Sequence, residues 1–193
     1  MAGRVVKIAL AGEGGQGVQS VGEILAEAAY TEGKESIYVP NFGLEQRGGV
    51  SIAFVQIADE QIGSPKFKTG DIVVALSGRA VRRMKMHVGP ETVFVYEASI
   101  DDLEDGDLPQ NAARILAVPA IEVSKKDLDP RVFNIIIMGV VIGFTGAISE
   151  EQAIQELEHK LGDKFQKNPA LRELNLKALK MGIELAQRAQ SIA

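Results

Sequence analysis

A glycine-rich segment near the start of the chain contains the residues best suited to chemistry. Gly12, Gly14 and Gly17 have the spacing G-x-G-x-x-G, and Gly15 and Gln16 complete the segment. Glycines allow a sharp backbone reversal and leave amide N–H groups uncovered, and such amides at the positive end of a helix dipole bind anions. We therefore predict that these five residues bind a phosphate or pyrophosphate group.

The segment lies between a strand pattern and a helix pattern. Residues 5–11 (VVKIALA) predict a buried strand, and residues 18–30 repeat apolar side chains at helical spacing. This strand, turn and helix context is the one that the motif requires. A tight turn that only lets the helix pack on the strand is the alternative. No Lys-Ser or Lys-Thr pair follows the glycines, which excludes a Walker-type P-loop.

The second strand lacks the acidic residue of a dinucleotide site. Such a site needs an Asp or Glu about 20 positions after the glycines, at the end of the second strand. Residues 36–39 (SIYV) form that predicted strand, but Pro40 and Asn41 follow it and Glu35 precedes it. We therefore expect the chain to bind NAD poorly.

A second glycine-rich loop, residues 41–49 (NFGLEQRGG), follows that strand. In open α/β sheets ligands bind outside the carboxyl ends of the strands, so we expect this loop to lie beside the first. The Arg47 guanidinium, next to the open backbone of Gly48 and Gly49, suits a phosphate or carboxylate through bidentate contacts. An ion pair between Arg47 and Glu45 that only orders the loop is the alternative.

Strand and helix patterns alternate along the chain and predict an α/β fold. We expect a three-layer α/β/α arrangement with a Rossmann-like start and a mostly parallel sheet, a mixed sheet being the alternative. A length of 193 residues predicts one domain, 1–193. Residues 121–123 are expected to continue a strand from 115–118, and Ser149 with Gln152 predicts a capped helix start.

Residues 132–144 are uncharged and contain Gly139 and Gly143. The run is shorter than the roughly 20 residues that span a bilayer, so we predict a helix buried against the sheet or a subunit contact. The two glycines would permit close backbone approach. Because the first residues show no signal-peptide architecture, the sequence predicts a cytoplasmic protein without a membrane association.

Composition argues against several classes of function. The net charge of -5 is not offset by a basic stripe, which argues against nucleic acid binding. Basic residues at 79, 82, 83 and 85 predict a solvated helix face or a subunit contact, and the acidic residues 101–107 predict a solvated turn.

The sequence has no cysteine, so it offers no thiolates to an iron–sulfur cluster. Neither histidine has ligand-spaced neighbours, so no metal site is predicted.

The two glycine motifs, taken together, resemble those of the gamma subunit of 2-oxoacid:ferredoxin oxidoreductases. The resemblance spans nearly the whole chain and is densest before Leu76; it departs at Leu44, where a small residue or proline is usual. The matching segments are 14–18 (GGQGV), 24–29 (ILAEAA), 42–49 (FGLEQRGG), 62–65 (IGSP), 71–76 (DIVVAL), Asn134 with 138–139 (MG), 175–178 (NLKA) and 181–182 (MG).

The resemblance implies a subunit of an enzyme that oxidatively decarboxylates a 2-oxoacid to acyl-CoA and passes electrons to ferredoxin. Alpha and beta subunits would hold thiamine diphosphate and magnesium, a ferredoxin-like subunit would hold the iron–sulfur clusters, and coenzyme A would accept the acyl group. This chain would cover the thiamine site, help receive coenzyme A, carry no catalytic residue and hold no cofactor alone.

The resemblance also allows predictions of the substrate and of self-association. The 14–15 (GG) and 47–49 (RGG) versions of the motifs favour 2-oxoglutarate or branched-chain 2-oxoacids over pyruvate. Without its partners the chain is expected to be inactive and to form homo-oligomers through residues 132–144 or the last helix. The alternative functions are a stand-alone Rossmann-type nucleotide-binding protein and a scaffold whose glycine loop is only a turn.

Overall fold

The computed structural model describes residues 4–42 and 49–191, and a mixed β-sheet lies at its centre. The strands in this part of the chain are β1 Val6–Gly12, β2 Glu35–Asn41, β3 Ser51–Ala58, β4 Ile72–Ala75, β5 Val93–Glu97 and β6 Arg114–Val118. Their order in the sheet is β2-β3-β1-β4-β5-β6. β1, β4, β5 and β6 pair in parallel, and β3 is antiparallel to both neighbours. The predicted α/β fold is confirmed, and the mixed sheet is the alternative observed.

β3 lies between β1 and β2, although it follows both in the chain. The connection from β2 to β3 comprises residues 42–50, which is shorter than the dozen or so residues that a parallel crossover needs. The chain therefore returns antiparallel, with Gly12 opposite Ser51 and Asn41 opposite Ile52. As a result the carboxyl ends of β1 and β2 lie at the same end of the strands, with the amino end of β3 between them. We call this end of the strands the carboxyl edge of the sheet.

The helices within the described ranges are α1 Val18–Thr31, α2 Gly78–Met84, α3 Ala120–Asp127, α4 Phe133–Thr145, α5 Glu150–Lys167 and α6 Pro169–Ser191. The prediction that residues 121–123 continue a strand is wrong, because they belong to α3. Pro119 provides no capping side chain for this helix. The buried Glu97 carboxylate, at the end of β5, instead accepts a hydrogen bond from the Ile121 amide at 3.2 Å.

Alternate residues of β1 face two separate apolar cores. Ile8 and Leu10 face α1, α3, α4, α5 and α6, whereas Ala9 and Ala11 face α2 and neighbouring loops. Residues 135–142 of α4 are all buried in the larger core, so the predicted buried helix is confirmed. Because the chain itself covers these residues, α4 offers little surface for self-association, and the expected self-association of the isolated chain stays a prediction. Within the described residues no helix combines the length and apolarity that a bilayer crossing demands.

Glycines bring α4 and α6 into backbone contact. A Cβ on Gly139 would overlap the Leu179 carbonyl oxygen, and one on Gly182 would overlap that of Ile136. A Cβ on Gly143 would lie 2.6 Å from the Ala186 Cβ. The predicted close approach at positions 139 and 143 is confirmed.

Basic residues after β4 hold the acidic turn 101–107. Arg82 bonds to the carboxylates of Asp102 and Asp107, each at 2.9 Å, and Lys85 Nζ donates to the Gly106 carbonyl at 2.6 Å. The Glu104 amide and the Arg82 guanidinium hold the pKa of Asp107 below its usual range. Residues 101, 102 and 104–106 are exposed, so the prediction of a solvated turn is confirmed, and its ion pairs with Arg82 are surface contacts.

Candidate anion site at the carboxyl edge of the sheet

The glycine-rich turn joins the carboxyl end of β1 to α1. Gly15 has φ 90° and Gly17, the N-cap of α1, has φ 74°, and residues with a Cβ rarely adopt this left-handed backbone. A Cβ on Gly12 would lie 2.7 Å from Gln16 Oε1, so the Gln16 side chain would have to shift. The strand, turn and helix predicted for this segment are confirmed.

Gln16 fixes the shape of the turn. Its side-chain Oε1 accepts a hydrogen bond from the Glu13 amide at 2.6 Å, and its Nε2 donates to the Leu76 carbonyl at the end of β4 at 2.8 Å. Both ends of this side chain are therefore used inside the protein. Gln16 is therefore suited to position the backbone of an anion site, and its Nε2 group has a second hydrogen beyond the one donated to Leu76.

Gly14 and Gly15 form the open surface of the turn. A Cβ placed on either glycine would meet no described atom within 4 Å. The amide groups of Gly14, Gly15 and Gly17 donate to no described residue, and the first turn of α1 contains no acidic side chain. Uncovered N–H donors and a helix N-terminus thus coincide at one surface, an arrangement that favours a bound anion.

Asn134 is a site residue that the sequence analysis did not nominate. It lies in the first turn of α4, and a Cβ on Gly17 would lie 2.5 Å from its Nδ2 atom. The half-buried carboxamide bonds to no other residue in the described part of the chain. An unused amide donor therefore lies next to the glycine turn. Its sequence signal is a single polar side chain within the apolar run 132–144.

The end of the second glycine loop lies at the same edge. Gly49 leads into β3, where Ser51 is opposite Gly12 in the sheet. The structure thus brings Gly49 to the first turn, as the sequence predicted. Glu45, Arg47 and Gly48 lie outside the described residues, so their part in the site stays a prediction.

A polar contact network holds α1 against β2 and β3 beside the turn. Gln19 Nε2 donates to the Ile52 carbonyl at 3.1 Å, and Tyr38 Oη donates to Gln19 Oε1 at 2.7 Å. These bonds fix the N-terminus of α1 relative to the strand that receives the second glycine loop. The site therefore rests on rigid elements.

Carboxylates flank the turn on the side of β4 and β5. Glu13 accepts a hydrogen bond from Arg79 at 2.9 Å, and this bond, aided by Ser77, holds the pKa of Glu13 below its usual range. Glu97 and Asp102 line the same cleft of about 250 Å³. Because these charges repel an anion, a phosphate would reach the glycine amides from the β3 side.

The site fits phosphate groups better than metal ions or clusters. The described residues contain no group of three His, Asp or Glu side chains placed to hold a metal ion, and the sequence contains no cysteine. Magnesium with thiamine diphosphate, or an iron–sulfur cluster, therefore has no suitable ligand set in the described part of the chain. A phosphate group, by contrast, matches the N–H donors of the glycine turn.

Comparison with known proteins places the chain among oxidoreductase subunits. Residues 7–185 match the model of the family described as pyruvate ferredoxin/flavodoxin oxidoreductase. The ketoisovalerate oxidoreductase subunit VorA of Methanothermobacter thermautotrophicus is 33% identical over 184 residues, which are 94% of this chain and 36% of that protein. The chain thus spans about a third of the length of this relative.

Solved structures share the fold over almost the whole chain. The keto/oxoacid ferredoxin oxidoreductase gamma subunit of Geobacter sulfurreducens aligns with a TM-score of 0.79 at 28% identity, covering 96% of this chain and 98% of that one. The 2-oxoglutarate:ferredoxin oxidoreductase of Magnetococcus marinus, with 2-oxoglutarate, coenzyme A and succinyl-CoA bound, aligns with a TM-score of 0.83 at 28% identity. The alignment covers 96% of this chain and 31% of the Magnetococcus chain.

Proposed function

The chain belongs to the pyruvate ferredoxin/flavodoxin oxidoreductase family, and we propose that it is the gamma subunit of a multi-subunit 2-oxoacid:ferredoxin oxidoreductase. The proposed enzyme oxidatively decarboxylates a 2-oxoacid to acyl-CoA and passes the electrons to ferredoxin. The alignment with a separate gamma subunit over 98% of that chain supports this assignment. We further propose that residues 1–193 act as one gamma-type domain.

Alpha, beta and ferredoxin-like subunits are the proposed partners. They would hold thiamine diphosphate, magnesium and the iron–sulfur clusters, for which the described residues supply no ligand set. The VorA and Magnetococcus proteins support this division, because each contains a region like this chain within a longer polypeptide. The cytoplasmic location of the complex stays a prediction.

The role proposed for this chain is to cover the thiamine site and help receive coenzyme A. The uncovered amides of Gly14, Gly15 and Gly17, next to Asn134, carry this proposal. These donors, together with Arg47, would bind a phosphate group and so orient the thiol that accepts the acyl group. The bound coenzyme A of the Magnetococcus enzyme supports the ligand class. No residue of this chain is proposed to react with the 2-oxoacid.

The substrate is proposed to be 2-oxoglutarate or a branched-chain 2-oxoacid. The motif versions at positions 14–15 and 47–49 favour these over pyruvate. Two relatives, one a ketoisovalerate enzyme and one a 2-oxoglutarate enzyme, are compatible with both choices, whereas the family description names pyruvate. Comparing kcat/KM of the assembled enzyme for the three acids would identify the substrate.

Replacing Arg47 with Ala tests the coenzyme A role. Loss of a charge-assisted contact worth about 1.5–3 kcal/mol should weaken apparent coenzyme A affinity roughly 10- to 150-fold in the assembled enzyme. The KM for the 2-oxoacid should barely change. Arg47→Lys should restore only part of the affinity, because an ammonium keeps the charge but loses the bidentate geometry. Initial rates at varied coenzyme A concentration give these values.

Arg4→Ala is the control for this experiment. Arg4 is exposed and pairs with Asp71 at the amino end of β1, whereas the glycine turn follows the carboxyl end of that strand, so its loss should leave coenzyme A kinetics unchanged. If Arg47→Ala leaves those kinetics unchanged and lowers only the yield of assembled complex, Arg47 pairs with Glu45 or with a partner subunit, and its ligand role is wrong.

A stand-alone Rossmann-type nucleotide-binding protein is the less favoured function. β2 ends at Asn41 without an acidic ribose ligand, and β3 separates it from β1. We expect titration calorimetry to detect only weak NAD binding. A micromolar dissociation constant, about -8 kcal/mol, would instead support the nucleotide-binding function.

A further inference from the structure

A cleft of about 610 Å³ opens on the face of the sheet that packs against α2. It lies over parts of β2 and β3. Its floor contains Phe54 and Phe67, whose rings meet edge to face with centroids 5.5 Å apart. His87 contacts the Phe54 ring at 5.1 Å and bonds to the Lys68 carbonyl at 2.9 Å. These contacts give the cleft a preformed aromatic floor.

Two large apolar side chains at the cleft are exposed to solvent. Phe42 and Met86 are each 69% exposed, and only Tyr30 and Ile115 are other exposed large hydrophobics in the described residues. Two of these four therefore meet at a single concave surface. Such concentrations of exposed apolar side chains around a pocket mark sites where a partner binds.

The rim of the cleft is positively charged although the chain carries a net charge of -5. Arg83 and Lys66 line it, and no Asp or Glu does within the described residues. The neighbouring basic residues Arg82 and Lys85 bind the acidic turn, whereas Arg83 has no ion pair in the described part of the chain. The rim thus offers free cations to an acidic partner.

We propose that this cleft is the docking surface for an acidic segment of a partner subunit, a segment that inserts one aromatic or large aliphatic side chain between Phe42 and Met86. The inference rests on the proposed function, because it assigns the occupant to a subunit of that complex. Charge complementarity to Arg83 and Lys66 selects the acidic partner. A second copy is a poorer fit, because its acidic turn 101–107 is already bound by its own Arg82 and Lys85.

The position of the cleft connects docking to the candidate site. Asn41 and Phe42, which line the cleft, end β2 at the same edge of the sheet as the Gly12–Gly17 turn. A subunit seated here would therefore border the side from which an anion reaches the glycine amides. This placement agrees with a gamma subunit that closes over a partner's active site.

Met86→Asp and Arg83→Glu test the docking surface in the assembled enzyme. Tagged chain is co-expressed with the alpha, beta and ferredoxin-like subunits of the proposed enzyme, and affinity is measured by titrating purified chain onto the remaining subunits. Loss of a central apolar contact should weaken assembly about 30-fold for Met86→Asp. Arg83→Glu should weaken it about tenfold and reduce its salt dependence.

Tyr30→Asp and Lys180→Glu are the matched controls. Both side chains are exposed, and both lie on helices of the opposite face, so these variants should assemble like the wild type. Thermal denaturation of each isolated variant should match the wild type, which separates a docking defect from misfolding. Normal assembly of Met86→Asp and Arg83→Glu would refute the docking surface while leaving the subunit assignment intact.

A photo-crosslinking residue at position 86 identifies the occupant. The expected product joins this chain to an Asp- or Glu-containing peptide of a partner subunit. A crosslink to a second copy or within the same chain contradicts the proposal, as does altered coenzyme A affinity with unchanged assembly. If the wild-type chain binds none of the subunits, the proposed function fails and the docking inference fails with it.

Discussion

Purified without its partners, the chain is expected to show no turnover of any 2-oxoacid with coenzyme A and a viologen acceptor. It contains no cysteine to ligate an iron–sulfur cluster, and the described residues offer no metal-binding group for magnesium and thiamine diphosphate. We therefore expect electron transfer and decarboxylation to require the proposed partner subunits. Activity should appear only when the partner subunits are added, followed as viologen reduction.

The positive control is the complex isolated through a tag on this chain and assayed under the same conditions. Mixing experiments with increasing amounts of the chain should raise the rate until the partner subunits are saturated. Sustained turnover by the pure chain, at a rate proportional to its concentration alone, would contradict the subunit assignment.

Gly182→Ala is expected to be the most damaging single substitution for stability. Its Cβ would overlap the Ile136 carbonyl and lie 2.9 Å from the Gly139 Cα, so α4 and α6 would have to move apart. Because both contacts are backbone, no rotamer change can relieve them. We expect a loss of about 3 kcal/mol or more in the free energy of unfolding, measured by urea denaturation.

Gly162→Ala in α5 is the control for that substitution. A Cβ there would meet no described atom within 4 Å, and alanine favours a helix interior by about 1 kcal/mol over glycine. This variant should therefore be as stable as the wild type or slightly more stable. A Gly182→Ala protein with wild-type stability would show that α4 and α6 do not hold the backbone contact described here.

Local patterns predicted the elements that depend on neighbouring residues. The helix after the glycine turn begins at Val18, and Ser149 Oγ accepts from the Gln152 amide at 3.2 Å, as its capping pattern indicated. Residues 132–144 were predicted to form a buried helix, because an uncharged helix of that length has no polar face to expose to solvent. The structure shows α4 buried here. In each case the information lies within a few turns of one segment.

Predictions were wrong where a distant residue decides the local outcome. Residues 121–123 have strand-like composition, but the Glu97 carboxylate caps them as the start of α3. The acidic turn is exposed as predicted, but local patterns did not indicate that Arg82 and Lys85 bind it. Such pairs are separated widely in sequence, so no periodicity reveals them.

The glycine turn, the α/β class and the family could all be predicted from the sequence, because they depend on residue types at fixed short spacings. The tertiary structure was needed to show that β3 lies between β1 and β2, that Asn134 lies next to Gly17, and that Arg83, beside the exposed Phe42 and Met86, has no ion pair within residues 4–42 and 49–191. Strand order and side-chain neighbours depend on how remote segments bury their apolar faces together, which is a property of the whole chain.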